Sequence, residues 1–514
     1  MRSPIILSGK SSETREMQRI LMKRPDTVLV LLAAYFAVMF GIRHIIPDGL
    51  RYDEAQQAFF SQWIVAGYDS QPPLYNWVQA AFVAVFGLSI TSLAFVKAVA
   101  LFAAYASYYR LAREVLTERL FAVIATLSLM TIPQIFWEAQ RDLTHSVALV
   151  ICINLFLLVV IRTLKAPTTL LYASLGLIAG LGMISKYNFA LIFLGTFVAV
   201  LANPQWRVRL YDPRILLSCL IGLLVVLPHG LWLLDNFGVA SNKTLTIMGQ
   251  DAPDEALLKF VQGPIRFFRI TVIILAPLAL VYLLVFRSNL LRSLRASTDW
   301  TRLFGWIFVT IILTVLILIV TIGMTALRDR WLMPFVALVP LFLCLKLEAL
   351  KVQSHDFLGR FLVFPLTVML LVPLALTLRT NAPQLFGSYQ AYNMPYGDLM
   401  EHILAEEGRK PGLIQTTNWM VAGNSHLQTP DIPVMATSLE ALQLPYAWSD
   451  ENPMLLIWLR SEGDTIPPSI SAWLERAAPV HRLSGPRSIE RPYQHSFNDE
   501  TAALGYAWVY PPSP

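Results

Sequence analysis

The segment Gln140-Arg141-Asp142-Leu143-Thr144-His145-Ser146-Val147-Ala148-Leu149-Val150-Ile151-Cys152-Ile153-Asn154-Leu155-Phe156-Leu157-Leu158-Val159-Val160-Ile161-Arg162 decides the fold class. A tight polar cluster opens it, and an almost uninterrupted apolar run follows, closed by arginine. A membrane-spanning helix needs about 20 mostly apolar residues, and 143–162 meets that requirement. Comparable runs lie near 27–46, 91–110, 119–136, 168–184, 187–202, 214–234, 268–286, 304–323, 332–346 and 361–379, so eleven spans are expected.

Composition agrees. The chain has 514 residues, 55% of them hydrophobic and only 14% charged, with a mean hydropathy of +0.55. Soluble domains carry about 25% charged residues. An ordinary cytosolic enzyme, a disordered chain and a collagen-like chain are excluded. Cys152, Cys219 and Cys344 all fall in apolar runs, which argues against a disulfide framework or a zinc cluster.

Charge divides the chain. Residues 1–380 hold 33 Lys/Arg against 20 Asp/Glu, and residues 381–514 hold 7 against 14. The expected organisation is a cytoplasmic segment 1–26, an all-α polytopic membrane domain 27–380 and a small soluble α/β domain 381–514. With a cytoplasmic N-terminus, 21 basic residues fall on cytoplasmic segments and 10 on the opposite side, as the positive-inside rule requires. The basic residues are scattered between apolar runs, so nucleic acid is not an expected partner. A polar stretch precedes the first span, which reads as a retained helix and not a cleavable signal. Residues 74–89 and 54–66 read as interfacial helices, the latter with Ala55, Phe59, Trp63 and Ile64 on one face. In the soluble part, Pro395–Gly408 and Pro467–Ala478 read as helices. Leu413–Thr416, Ile432–Met435, Met454–Leu459 and Leu504–Tyr510 read as strands.

On this topology the outer surface gathers the polar residues that are hardest to explain. They are Asp48, Asp53, Glu54 and Asp69; Glu138, Gln140, Arg141, Asp142 and His145; Lys186 and Tyr187; His229, Asp235 and Asn236; and Arg328, Asp329 and Arg330. Singly, each has an ordinary explanation. Asp53 and Glu54 suit a helix N-terminus, Arg141 and Asp142 suit an ion pair, Lys186 suits snorkelling, and His229 suits a helix end. Arg328 and Arg330 lie where the positive-inside rule disfavours them. Together, carboxylates and cations on one face suit activation of a hydroxyl beside a bound phosphate.

These motifs resemble the GT-C glycosyltransferases of the family 39/83 type, which include protein O-mannosyltransferases and lipid A aminoarabinose transferases. The resemblance rests on Arg51-Tyr52-Asp53-Glu54-Ala55, Gly67-Tyr68-Asp69-Ser70-Gln71-Pro72-Pro73-Leu74, Gln140-Arg141-Asp142-Leu143-Thr144-His145, Ser185-Lys186-Tyr187, Pro228-His229-Gly230-Leu231-Trp232 and Arg330-Trp331-Leu332-Met333-Pro334, with a fainter echo in Ala422-Gly423-Asn424. It implies a GT-C fold of about 11 spans plus interfacial helices. It also implies inverting transfer of a sugar from a polyprenyl-phosphate donor to an acceptor hydroxyl, at the outer face of a bacterial inner membrane. Asp53 matches the catalytic base, Glu54 its neighbour and Asp142 the second acidic position. Arg141, His145, Lys186, Tyr187, His229, Arg328, Arg330 and Gln71 are the candidates for binding donor phosphate or substrate. Gln71-Pro72-Pro73 stands where the aminoarabinose branch has Glu-Lys-Pro, so a phosphate-contacting lysine is absent there. The set looks nearer to alphaproteobacterial envelope transferases, some of which move galacturonic acid onto lipopolysaccharide core or lipid A, so a glycolipid acceptor is expected. No cofactor is expected; two acids and a histidine would suit a divalent ion, but no ligand spacing compels one. The competing readings are a protein O-glycosyltransferase, a transporter or flippase, a glycan ligase or polymerase, and a non-catalytic scaffold. The transporter is disfavoured because no two-fold repeat is visible and the polar residues gather at one surface.

Overall fold

The apolar runs fold as helices in a computed structural model that describes residues 12–238, 240–241, 256–324 and 326–512. Lys243, one of the basic residues placed on the outer side, lies outside the described residues. Among the described residues, seven helices are long and apolar enough to cross a membrane: Ile90–Val115, Thr144–Lys165, Ile215–Asp235, Val261–Phe286, Asp299–Ile322, Asp329–Ala349 and His355–Asn381. Two bent pairs, Arg119–Thr131 with Gln134–Arg141 and Phe189–Ala202 with Pro204–Tyr211, raise the number to nine if each is one span. Thr27–Arg43, Leu74–Phe86 and Thr169–Met183 are shorter apolar helices.

The first bent pair departs from the unbroken 119–136 span that hydropathy suggests. Pro133 has no amide hydrogen to continue the ladder, and the chain turns by 74° there. Gln134–Glu138 then winds as a π-helix before Ala139–Arg141. Asp142 is extended (φ −140°, ψ −155°), and Leu143 takes a left-handed φ of +69° before Thr144–Lys165 begins. A left-handed leucine costs on the order of 1–3 kcal/mol and marks a position held by its surroundings.

The described chain divides into two compact units. Among the described residues, the first comprises 12–36, 70–72 and those within 100–372. Its helices Thr169–Met183 and Ile215–Asp235 pack through small residues, so closely that a Cβ on Gly176 would lie 2.2 Å from the Ser218 carbonyl oxygen. The Ser218 hydroxyl donates to the Tyr172 carbonyl at 2.6 Å, adding a polar tie inside an apolar contact.

The second unit comprises 37–69, 73–99 and 373–514. It is built on a sheet of strands β1 (Leu413–Thr416), β2 (Val434–Ala436), β3 (Met454–Leu459), β4 (Arg482–Leu483), β5 (Arg487–Pro492) and β6 (Thr501–Tyr510). The order is β2-β1-β3-β6-β4, with β5 also on β6; β1 is parallel to β2 and β3, and β6 is antiparallel to β3, β4 and β5. β3 is apolar throughout because both faces are covered. Met454, Leu456 and Trp458 join Ile470, Trp473 and Leu474 of the helix Pro468–Ala477 on one side. Leu455 and Ile457 face Leu399, Ile403, Val421, Phe59, Phe60 and Trp63 on the other.

The 54–66 segment therefore differs from its expected role. The helix is Tyr52–Phe60, and its Ala55 and Phe59 are fully buried against protein. Ile64 is 69% exposed and does not share that face. Its partners lie in the C-terminal region, including a helix Trp419–Gln428 that apolar periodicity does not reveal.

Candidate active site

In the second unit, the first loop is fixed residue by residue. Arg43 donates to the Glu54 carboxylate (3.2 Å) and to the Pro47 and Gly49 carbonyls (3.0 Å each), and its guanidinium lies 5.0 Å from the Tyr392 ring centroid. Glu54 is 5% exposed, and its second oxygen accepts the Arg51 amide at 3.5 Å. A buried carboxylate held on both oxygens in this way fixes the loop's shape. Asp53, its neighbour in the first turn of Tyr52–Phe60, is only half-buried. It sits in the first turn of the helix, where the macrodipole is favourable to negative charge. Tyr75 is buried beside these acids. Burial, reinforced by the charges of Asp53 and Glu54, holds its hydroxyl well above the usual tyrosine range, so it stays protonated. Gln57 donates to Asn76 at 2.8 Å, tying Tyr52–Phe60 to Leu74–Phe86. Tyr75 was legible only as an interfacial aromatic; its place beside Asp53 depends on the fold.

The helix Trp419–Gln428 grips the same loop. Asn418 caps it, accepting the Met420 and Val421 amides. The Asn424 side chain accepts the Leu50 amide at 2.7 Å and donates to the Met420 carbonyl at 2.8 Å. A Cβ on Gly423 would lie 1.9 Å from the Ala55 carbonyl oxygen, so glycine alone permits the approach. Gly49 donates to the Tyr392 carbonyl (3.2 Å), and Gln494 bonds to Asp48. The Gln62 side chain donates to the Val434 carbonyl and accepts its amide, both at 3.0 Å. The Ala-Gly-Asn echo in the sequence is thus the seat of the Asp53 helix.

In the first unit, the other candidates gather at one end of the helices. The Lys186 ammonium, 8% exposed, donates to the Ser146 hydroxyl at 2.8 Å. Neighbouring His145 is buried and interacts electrostatically with Lys186. Arg141 pairs with Glu138 at 3.7 Å and lies over the Trp137 ring at 5.0 Å. Asp142 is half-buried, its amide bonded to the Glu138 carbonyl at 2.8 Å. The Tyr187 hydroxyl meets His229 Nε2 at 3.1 Å with the rings stacked, and His229 stacks in turn on Trp232. Asn188 donates to the Trp331 carbonyl (3.3 Å) and Gln134 to Asp329 (3.1 Å). These bonds bring 186–188, 134–145 and 328–331 together. Arg328 and Arg330 are half-buried and form no ion pair among the described residues. Gln71 is half-buried in the short 70–72 segment.

Tyr187 and His229 also line an apolar cavity of about 880 Å³. Phe156, Gly176, Phe193 and Tyr172 line its length, towards Arg209 at the far end. It offers apolar surface along its walls, with the polar Tyr187 and His229 side chains among its lining and Lys186 adjacent to Tyr187 in sequence. That arrangement is suited to a lipid chain bearing a phosphate.

Comparison with known proteins agrees with the motifs. The family described as dolichyl-phosphate-mannose-protein mannosyltransferase matches residues 70–232. The chain is 35% identical over 490 residues to the lipopolysaccharide core galacturonosyltransferase RgtB of Rhizobium johnstonii, covering 94% of this chain and 98% of the relative. It is 34% identical to the lipopolysaccharide core galacturonosyltransferase RgtA of the same organism, over 94% of this chain and 97% of the relative. In fold it resembles the crystal structure of ArnT from Cupriavidus metallidurans bound to undecaprenyl phosphate, with a TM-score of 0.57 at 11% identity, covering 93% of this chain and 97% of that one. The chain therefore belongs to the GT-C family of membrane glycosyltransferases, together with the lipopolysaccharide core galacturonosyltransferases, and is itself a glycosyltransferase.

Proposed function

We propose that this enzyme transfers galacturonic acid from a polyprenyl-phosphate donor to a hydroxyl of lipopolysaccharide core or lipid A, with inversion at the anomeric carbon. The near-full-length likeness to two core galacturonosyltransferases supports the sugar and acceptor. The observation that carries the donor class is the apolar cavity ending at Tyr187 and His229, beside Lys186 in sequence. Asp53 takes the acceptor hydroxyl proton as that oxygen bonds to the anomeric carbon. The bond from the anomeric carbon to phosphate oxygen breaks, and polyprenyl phosphate leaves with the electron pair. Lys186, Arg141, Arg328 and Arg330 stabilise that charge, with His145 and His229 as hydrogen-bonding partners. Asp142 shapes the substrate site, and Glu54 fixes the loop that carries Asp53. Gln71 contacts substrate as a neutral side chain, next to Pro72, which stands where the aminoarabinose branch has lysine.

Counting each bent pair once, and adding Thr27–Arg43 and Thr169–Met183, gives eleven spans. With the N-terminus cytoplasmic, residues 381–514 then face the periplasm, where acceptor and lipid-linked donor meet.

Mass analysis of envelope glycolipids from a deletion strain, with and without the plasmid-borne gene, tests the reading. The expected result is loss of a hexuronic acid from core or lipid A, restored by the wild-type gene and not by Asp53→Asn. Unchanged glycolipids in the deletion strain refute the assignment. Full restoration by Asp53→Asn refutes the base.

A further inference from the structure

Two hydrogen bonds mark where the second unit meets the end of its last apolar helix. The Asn381 side-chain nitrogen donates to the Ile45 carbonyl at 3.2 Å, just beyond the helix Thr27–Arg43. Asn393 donates from one side-chain nitrogen to the Thr380 carbonyl (2.7 Å) and the Gln494 carbonyl (2.9 Å), and the Gln494 amide returns to the Asn393 carbonyl at 2.9 Å. The loop around 493–498 is thereby held against the last turn of a helix long and apolar enough to cross a membrane.

Several large apolar side chains in these segments are exposed, among polar neighbours such as Ser496 and Asn498. Leu385 is 66% exposed, Phe386 48% and Phe497 39%; Ile45 is 62% exposed. Tyr389 stacks on Tyr493 with ring centroids 4.3 Å apart and planes within 11°, and Phe497 lies 5.0 Å from Tyr389. The Tyr389 hydroxyl accepts the Phe497 amide and donates to Asn498, fixing the loop. Large exposed apolar side chains beside the end of an apolar helix are unfavourable in water and suit a non-aqueous partner. Aromatic rings with a hydroxyl at one end favour the boundary between headgroups and acyl chains. Residues 381–514 carry 7 basic against 14 acidic side chains, so attraction to an anionic leaflet does not hold this domain down.

We propose that Leu385, Phe386, Tyr389, Tyr493 and Phe497 form a membrane-interface anchor that seats the C-terminal domain on the bilayer surface. The anchor sets the height of the sheet above the lipid. It goes beyond the transfer reaction, since it depends on no sugar, acceptor or catalytic residue.

Full-length protein in proteoliposomes tests it by depth measurement. Cys152, Cys219 and Cys344 are replaced by alanine, and a single cysteine is placed at Phe497→Cys, at Leu385→Cys, or at the exposed control Val480→Cys. Each carries a fluorophore, and the lipids carry a nitroxide near the headgroup or near the chain end. Stronger quenching by the headgroup-proximal nitroxide at 497 and 385, with none at 480, is the expected result. Equal absence of quenching at all three positions overturns the proposal. So does stronger quenching from the chain end, which would put the loop inside the bilayer. Protection of 497 from aqueous iodide without any lipid quenching also overturns it, because a protein surface would then be the partner. Two labelled positions keep the test valid if one variant fails to fold.

Discussion

Replacing Gly423 by alanine puts a methyl carbon 1.9 Å from the Ala55 carbonyl oxygen, 2.5 Å from its carbonyl carbon and 2.8 Å from its Cα. Ordinary contact begins at 3.4 Å, so one backbone must retreat by about 1.5 Å, the difference between 3.4 and 1.9. Neither side has a flexible side chain to give way. Trp419–Gln428 is held by the Asn418 cap and the Asn424 bonds, so the shift falls on the nine-residue helix Tyr52–Phe60. Asp53 lies two residues before Ala55 in that helix and moves with it. Overpacking of this kind costs roughly 1–3 kcal/mol of stability. A catalytic group misplaced by about 1 Å loses on the order of 10²-fold in rate. Gly423→Ala is therefore expected to lower kcat by about two orders of magnitude while the KM for the lipid donor stays near wild type. Transfer kinetics with purified protein in lipid, with thermal unfolding recorded alongside, provide the assay. Wild-type kcat in a normally folded Gly423→Ala protein would refute the idea that this contact positions Asp53.

Glu54→Gln leaves Arg43 buried without its carboxylate, and breaking such a pair costs roughly 3–5 kcal/mol. The melting temperature should fall sharply, whereas Asp53→Asn, at a half-buried position, should leave it unchanged. Lys186→Ala removes a charged hydrogen bond worth about 1.5–3 kcal/mol, so kcat/KM for the lipid-phosphate donor should fall roughly 10- to 100-fold; unaltered donor kinetics would remove Lys186 from the phosphate site. Burial in the C-terminal domain pushes His426 down to about 4. The unfolded chain takes up this proton near pH 6.5 and the folded one does not, so stability is full above pH 6.5 and declines as pH falls towards 4, by roughly 3 kcal/mol. Unfolding of full-length protein followed across this range should show that decline, and His426→Gln should flatten it.

The amino-acid sequence reveals the elements whose surroundings are uniform. Met454–Leu459 is apolar at every position because both faces of the sheet are covered, and it folds as the expected strand. Thr144–Lys165 is legible for the same reason, since lipid and protein both favour apolar side chains. Elements defined by a distant partner are not legible. Trp419–Gln428 contains Gly423 and Asn424, poor helix formers that are there because Ala55 and Leu50 need them. The face of Tyr52–Phe60 looks interfacial because the protein core that buries it lies hundreds of residues later. The break at Pro133 is hidden by an apolar run that continues beyond it, through Ile135, Phe136 and Trp137. For the site, residue types and order mark Lys186, Tyr187 and His229. Their pairing with Ser146 and with each other depends on how the helices pack.

The hydrogen bond between Leu50 and Asn424 joins residues 374 positions apart. Ribosomes add about 5–20 residues per second, so roughly 20–75 s separate the synthesis of these two partners. During that interval the Asp53 segment has left the ribosome without the helix that seats it. Each new molecule thus passes through its longest stage of membrane insertion with its proposed base out of place, and it matures only when the last domain folds around a loop made near the start. Truncation anywhere before residue 424 should therefore abolish transfer as completely as loss of Asp53 itself, even with every transmembrane helix in place.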